Sequence, residues 1–474
     1  MKLKPVYVSV AKRRIITPPH RGRGGREGTD TAAMFIVRSV FLATLFGASG
    51  WAQAADLLDT YRAAQANDPV FAAARAAEQA GLEKIPQGRS LLLPSVNLTA
   101  NKTFTDQSVV YPGGPLAITS GDYRFNSDGY GVNMVLPLLR QQNWQSFGEA
   151  KLQAAQAEAQ LKVAEQDLIV RVAQAYFDVL IAQDTVALVD AQKSAISEQL
   201  EQAKRNFEVG SATITDTLEA QARYDLAGAQ EIAAKNDLEI KRSALQQLIN
   251  SPPGELSHLG SEFKLETPQP PDMEKWVGQA QATSLQIAIA QAAAEIADKE
   301  VDRNRGGHYP TVDLVANYTK NSATGGSFGP NDNTNKSLAV QLNMPIFEGG
   351  SVNSKWREAE ANRERARQEL ENARRDAEQK TRQAYLGVVS GISQVKALQQ
   401  ALTSSQSALD ASKLGQQVGV RTNLDVLNAQ QQLYSTRRDL YQAQYNYLLS
   451  ELRLRQAVGT LGEADLDKVN RELH

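Results

Sequence analysis

Residues 167–208 run DLIVRVAQAYFDVLIAQDTVALVDAQKSAISEQLEQAKRNFE, and their apolar side chains recur in steps of four and three. This spacing is typical of left-handed coiled coils, because it keeps one apolar seam facing a partner helix. Residues 143–208 contain no proline, which predicts one helix about 100 Å long. Apart from a break at Lys193, the seam consists of Leu168, Val172, Ala175, Val179, Ala182, Val186, Val189, Ile196, Leu200, Ala203 and Phe207.

A second helix of similar length is predicted at 350–417, as part of an internal repeat. Three pairs of motifs share an offset of 209 positions, and two further pairs occur earlier in each copy in the same order. Five ordered matches indicate a duplication, in which each copy runs helix, strand, strand, very long helix, helix. The pairs are Ala175-Tyr176 with Ala384-Tyr385, Val209-Gly210 with Val418-Gly419, Thr215–Leu218 with Leu424–Leu427, Leu93–Leu98 with Tyr309–Leu314, and Leu136–Leu138 with Met344–Ile346.

Each long helix is followed by a glycine-containing turn, at Gly210 and at Gly419. Glycine suits the left-handed conformation that ends a helix, and a hydroxyl or amide side chain just after the turn can cap the next one. The candidate caps are Thr213 or Thr215 and Thr422 or Asn423, and the returning helices are predicted at 215–250 and 424–458. Each copy therefore contains a hairpin of two antiparallel helices.

Four shorter segments alternate apolar and polar residues with period two, at 96–104, 130–136, 312–318 and 338–346. Such alternation is typical of the strands of an outer-membrane barrel, although half-buried hairpins of a soluble domain show it too. The segments 105–128 and 320–335, rich in Gly, Ser, Asn and Asp, are predicted to be external loops.

Four strands cannot close a barrel, and an open sheet edge is excluded from lipid. Closure therefore needs several copies of the chain. A dimer would reach eight strands with little lumen, whereas a trimer would reach twelve and enclose a channel.

The start of the chain is predicted to be a leader. Arg38, the apolar run 40–46 and Ala52-Gln53-Ala54 follow the order of a secretory signal peptide cut after Ala54, with an N-terminal membrane anchor as the alternative. Past this leader we expect no apolar run long enough for a transmembrane helix. The predicted divisions are an N-terminal extension with signal peptide (1–54), the first repeat (55–260), the second repeat with the inner hairpin (261–463) and a short C-terminal tail (464–474).

The composition of the chain limits which ligands it can bind and which chemistry it can carry out. Of 51 basic and 53 acidic residues, nine basic and two acidic ones lie in 1–54, which leaves the remainder with a formal charge of about −9. An acidic exported chain is a poor nucleic-acid ligand, so no nucleic-acid partner is expected. The absence of cysteine excludes disulfides and thiolate chemistry.

No catalytic, metal or cofactor site is predicted. Residues 325–329 fit Gly-x-Ser-x-Gly, but they lie in a Gly/Asn-rich loop before a strand, whereas a nucleophile elbow needs a strand before it and a helix after it. His258 and His308 have no partner at metal-ligand spacing.

The order of elements, the paired entries Leu-Leu-Pro-Ser and Tyr-Pro-Thr, the Ala-Tyr-Phe of the first long helix and the turn Val-Gly-x-Arg-Thr resemble the TolC family of outer-membrane efflux and type I secretion exit-duct proteins. The resemblance covers about residues 56–463. It implies a mainly α fold with β: a trimeric twelve-stranded β-barrel in outer-membrane lipid, continued by a long periplasmic coiled-coil α-barrel. It further implies no activity of its own, a periplasmic adaptor protein and an inner-membrane pump as partners, and a gate at the periplasmic tip.

The resemblance also implies site residues. The second hairpin, 350–417 with 424–458, would be the inner pair that untwists, with Asp425 and Asn428 at the constriction. Asn428 stands where the family has a second acidic ring, which reduces the expected charge from six carboxylates to three per trimer. Polar links that hold the gate shut map to Arg421, Asp216, Gln199 and Gln416, and the turns that meet the adaptor map to Val209, Gly210, Val418 and Gly419.

Simpler interpretations stay open at this point. Asp425 can be an acid favoured by the helix dipole in a first turn, and Arg421 a solvated turn residue. The alternative function is that of a periplasmic coiled-coil adaptor that bridges a pump to an outer-membrane channel, although adaptors usually carry one hairpin rather than two.

Overall fold

A computed structural model describes residues 56–110, 112–113, 120–260 and 263–473, so the predicted leader lies outside the described residues. Within them, short helices, two strands, one very long helix and a returning helix follow one another twice. The first copy comprises α1 (Leu57–Asn67), α2 (Pro69–Leu82), α3 (Lys84–Ser90), β1 (Ser95–Val109), β2 (Gly121–Leu139), α4 (Gln141–Glu208) and α5 (Ile214–Ile249). The second comprises α6 (Met273–Thr283), α7 (Leu285–Arg305), β3 (Thr311–Ala323), β4 (Asn331–Asn343), α8 (Ser351–Gln417) and α9 (Asn423–Val458), and α10 (Glu463–Asn470) follows.

The long helices α4 and α8, of 68 and 67 residues, end where the sequence predicts. Most of the α4 seam is buried, from Leu168 to Ala203, against the returning helix α5 and against α9 of the second hairpin. The turns depend on Gly210 and Gly419, whose φ angles of 76° and 79° disfavour residues with a Cβ. The two hairpins therefore lie side by side along the α4–α9 contact.

By length and composition alone, α4 could cross a membrane, contrary to our expectation for the mature chain. One 18-residue window has a mean hydropathy of 1.3, and 44% of that window is buried inside the protein. The apolar residues concerned form the seam and the core, which explains why the helix is so rich in them.

The largest apolar cluster lies where α4 and α9 meet the short helices. Phe177 stacks on Tyr445 with ring centroids 5.6 Å apart, and Tyr176 and Tyr447 are fully buried beside them. The hydroxyl of Tyr176 donates to the carbonyl of Ser257 at 3.0 Å, which fastens the segment between the two copies onto this core.

Residues 464–473, predicted to be a short tail, belong to the core. Leu466, Val469 and Leu473 are buried in the same cluster. Lys468 of α10 also donates to Glu266 at 2.6 Å and to Glu451 at 3.2 Å. The tail prediction missed this, because eight residues give too short a window for a periodic pattern.

The four strands form one antiparallel sheet in the order β1-β2-β3-β4. All four predicted strands are present, but the predicted loops 105–128 and 320–335 are too long. Pairing continues to Val109 opposite Gly121 and to Ala323 opposite Asn331. The apolar alternation stops before the strands do, because the backbone ladder needs no apolar side chains.

The burial of α10 gives a matched test. Val469→Ala removes two methyl groups from a site that is 3% exposed, whereas Val70→Ala changes a helical site that is 59% exposed. We expect Val469→Ala to lower the free energy of unfolding by about 2 kcal/mol and Val70→Ala to have little effect. Loss of the helical circular dichroism signal on heating measures both; equal effects would contradict a core role for α10.

A half-buried acid on α4 gives a pH-dependent test of the fold. Asp184 accepts a hydrogen bond from Tyr445 at 3.2 Å, and His258 Nδ1 lies 3.7 Å from its other oxygen. Burial raises the pKa of Asp184, and the neighbouring His258 and Tyr445 oppose that rise only in part. Because the folded pKa exceeds the unfolded one, this group's contribution to stability is present at low pH and is lost as pH rises through the folded pKa.

We therefore expect Asp184→Asn to be neutral near pH 4 and increasingly stabilising relative to wild type toward pH 7, since its amide oxygen can still accept from Tyr445. Thermal unfolding across this pH range measures the difference. Asp178→Asn is the control, because it removes a charge that is paired with Lys241 at 3.3 Å. A constant difference between Asp184→Asn and wild type at all pH values would contradict the assignment.

Candidate functional site

The sheet has one apolar and one polar face. Large apolar side chains in alternate positions are exposed on one side of the sheet. The residues of β2 that alternate with them point to the other side and are more enclosed, so that other side is concave. On the concave side Asn97, Asn133, Asn317 and Ser337 stand opposite one another across all four strands. Asn133 Nδ2 donates to Asn317 Oδ1 at 2.5 Å. The exposed apolar residues are Val96, Leu98, Tyr130, Val132, Leu338, Val340 and Leu342.

The next rows on the concave face are also uncharged. Thr99, Gly131, Thr319 and Asn335 form one row, and Asn101, Gly129, Asn321 and Asn333 form the other. A Cβ at Gly129 would lie 2.5 Å from Asn321 Oδ1 and 2.6 Å from Asn101 Oδ1, so these flanking amides occupy the space above the glycine. An apolar band on one face and these uncharged polar rows on the other suit a barrel wall between lipid and water.

Both edges of the sheet are open. Every residue of β4 and nearly every residue of β1 is exposed, and in the described chain each of these strands pairs on one side only. Because adjacent strands alternate in direction, β4 of one copy runs antiparallel to β1 of the next. Identical copies can therefore continue the ladder until it closes.

The sheet joins the helices through a charged pair. Arg140, between β2 and α4, donates from Nε and Nη2 to the two oxygens of Asp313 on β3, at 2.8 and 2.5 Å. A two-point bond of this kind fixes orientation as well as distance. The first two turns of the helices that follow the strands carry Trp144 on α4 and Trp356 on α8, and both side chains are exposed.

At the opposite end, both hairpin turns present apolar side chains to solvent. Val209 is 77% exposed and Val418 is 66% exposed, and each precedes the turn glycine, Gly210 or Gly419. An exposed valine in each turn leaves an apolar tip on each hairpin within the described protomer.

Beyond each turn an acid completes a capping box. Thr422 Oγ1 accepts from the backbone N–H of Asp425, while Asp425 accepts from the backbone N–H and the hydroxyl of Thr422, both at 2.8 Å. Thr213 and Asp216 repeat this arrangement on α5. The hydrogen bonds from Thr422 and the nearby Arg421 lower the pKa of Asp425, so it is ionised at neutral pH.

The predicted gate residues differ in their surroundings within the described protomer. Arg421, in the turn before α9, lies 3.7 Å from Asp425 of the same hairpin, whereas Asp216 accepts hydrogen bonds within its own capping box. Gln416 donates to Asn423 at 3.2 Å, and the Oε1 atom of Gln199 is buried without a hydrogen-bond partner in the part of the chain described. The Arg421–Asp216 link, which would join hairpins in an assembly, stays a prediction.

Besides the Arg140–Asp313 pair, two further contacts of arginine side chains were not predicted. Arg223 of α5 donates to Asn428 and Gln431 of α9, at 3.0 and 2.6 Å. Arg303 of α7 donates to the buried carboxylate of Glu149 on α4 at 2.8 Å. No sequence signal marks either pair, because the partners lie more than 150 positions apart and depend on how the helices pack.

Comparisons with known proteins agree with this geometry. Residues 60–251 and 276–460 match the family described as outer membrane efflux protein. The chain is 34% identical to the outer membrane protein TolC of Vibrio cholerae over 448 residues, covering 92% of this chain and 97% of that protein. It is 32% identical to TolC of Escherichia coli, covering 91% and 87%, and 33% identical to the alkaline protease secretion protein AprF of Pseudomonas aeruginosa, covering 87% and 86%.

Solved outer-membrane proteins share the fold. The outer membrane protein VceC of Vibrio cholerae superposes with a TM-score of 0.73 at 20% identity, covering 85% of this chain and 96% of that one. The CmeC outer membrane channel of Campylobacter jejuni gives 0.74 at 16% identity, covering 88% and 89%. The mainly helical fold with a small antiparallel sheet, predicted from the sequence, is confirmed. The chain belongs to the outer membrane efflux protein family, the TolC family of outer-membrane channels.

Proposed function

We propose that three copies of this chain form the exit duct of a tripartite efflux pump, a type I secretion system or both. Their sheets close into a twelve-stranded barrel in the outer membrane, and their hairpins continue it as a periplasmic tube. The observation that carries the proposal is the four-stranded sheet with an apolar outer face, a polar inner face and two unpaired edges. Such a sheet is stable in lipid only when other copies pair with both edges.

Partner binding is proposed for the hairpin tips. The exposed Val209 and Val418 offer apolar contacts to the coiled-coil end of a periplasmic adaptor, which would connect the duct to an inner-membrane pump. Relatives include proteins named for protease secretion, AprF and PrtF, and one named for efflux, BepC. The alternative function, a periplasmic adaptor, accounts neither for the membrane-suited sheet nor for the family match.

The gate is proposed to be the inner hairpin, α8 with α9. Around a three-fold axis, three Asp425 carboxylates would repel one another and attract cations. Arg421 lies beside this position and is well placed to link neighbouring hairpins through Asp216. Untwisting of α8 and α9 would separate these groups and widen the tip.

Arg421→Ser tests the gate. Removing the guanidinium deletes its links at the tip, so we expect single-channel conductance in planar bilayers to rise several-fold. Arg438→Ser is the matched control, because it removes an exposed arginine that pairs with Asp439 farther along α9. Equal conductance of wild type and both variants would remove Arg421 from the gate, whereas no channel activity in any of the three would remove the duct.

Asp425 needs a paired test because it also caps α9. Asp425→Ala removes the charge and the cap, whereas Asp425→Asn removes the charge and keeps an oxygen that can accept from Thr422. If the carboxylate ring binds cations, both variants should weaken block by lanthanum(III) by at least tenfold. Block that weakens in the alanine variant alone would show that helix fraying, rather than charge, is responsible.

A further inference from the structure

We infer that Arg223 is a latch, a side chain that holds α9 of the inner hairpin against α5 of the outer hairpin within one protomer. Through its contact with Asn428 it also places a positive charge at the position where a second acidic ring would otherwise bind cations. This inference rests on the proposed gate and adds to it a residue that the family resemblance does not supply.

The geometry is that of a two-point clamp. Arg223 Nη1 donates to Gln431 Oε1 at 2.6 Å, and Nη2 donates to Asn428 Oδ1 at 3.0 Å. Asn428 and Gln431 are three positions apart, so they lie on the same face of α9. The planar guanidinium offers donors in a fixed fork, which matches two acceptors spaced in this way.

Packing brings the two helices close at this point. Ala220 and Ala227, three positions before and four positions after Arg223, are buried with Leu427 of α9. Ile196, Leu200 and Ala203 of α4 complete the cluster. Since alanine side chains are small, the α5 and α9 backbones can approach, and the longer arginine reaches across the solvent side of the contact.

The clamp also alters the charge near the constriction. Asn428 is neutral, and within the described residues no carboxylate pairs with Arg223, so the clamp retains a full positive charge. Asp425 lies one helical turn before Asn428 and is accompanied by Arg421 at 3.7 Å. In each protomer the charges of Arg421 and Arg223 thus lie near the carboxylate of Asp425, which lowers the attraction of that carboxylate for cations.

The clamp makes a specific prediction about an acid at position 428. In Asn428→Asp the new carboxylate would pair with Arg223 instead of facing the channel as a free charge. The second acidic ring would therefore strengthen closure without strengthening cation binding. Only removal of Arg223 as well would free the three added carboxylates.

The test is a double-mutant cycle on the full-length trimer in planar bilayers, with conductance and lanthanum(III) block as readouts. We expect Arg223→Gln to raise conductance several-fold and Arg223→Lys to restore part of the closure. Asn428→Asp should conduct no more than wild type and be blocked at nearly the same concentration. The double variant, Arg223→Gln with Asn428→Asp, should be blocked at about one-tenth of that concentration.

Arg242→Gln is the matched control, because it removes an arginine from the same helix that, among the described residues, pairs with nearby Glu239 alone. Wild-type conductance in Arg223→Gln, or block in Asn428→Asp as strong as in the double variant, would overturn the latch. If Arg421→Ser still opens the channel in that case, the proposed gate stands without Arg223. Each variant is first checked for a heat-stable trimer, so that a folding defect is not scored as opening.

Discussion

The structure depends on one constraint: a backbone N–H or C=O group in hydrocarbon must have a hydrogen-bond partner. The chain supplies a four-stranded sheet whose apolar face suits lipid but whose two edge strands are unpaired in the described protomer. Because the strand number is even, the free edges run in opposite directions and can pair between identical copies. A protomer is thus part of a wall, and its polar concave face becomes a lumen only when the ring is closed.

The helices continue the protomer away from the sheet. There the backbone groups are paired within each helix, and side-chain packing between helices determines which elements lie together. A 3.5-residue seam from Leu168 to Phe207 keeps α4 against its partner helices, and glycine turns and capping boxes reverse the chain at the tip. The apolar cluster around Phe177 and Tyr445 joins both hairpins to the short helices and to α10. The largest apolar cluster therefore lies away from the tip, where motion is proposed.

Much of this could be predicted from the sequence, because it is periodic or local. The periodic pattern predicted the ends of both long helices to within two residues. The duplicated glycines predicted both turns, and the alternation of apolar residues located all four strands. The strands were predicted to be too short, because backbone pairing continues beyond the residues that alternate. Helix α10 was not predicted, because it is short. The Arg223–Asn428 contact could not be found in this way, since it joins positions 205 apart and depends on the relative register of two hairpins. Capping by Asp425 was predictable, while its role in a ring depends on neighbouring copies.

The proposed function combines a membrane wall with a helical tube, and charged residues are proposed to limit passage at its tip. The proposed function depends on the pairing of β4 in one copy with β1 in the next. Amide hydrogen exchange of detergent-extracted protein tests this directly, by following the amides of β1 and β4 that point away from β2 and β3. The account predicts that they exchange as slowly as the amides inside the sheet. Rapid exchange at both edges, in protein whose β2 and β3 amides are protected, would contradict it.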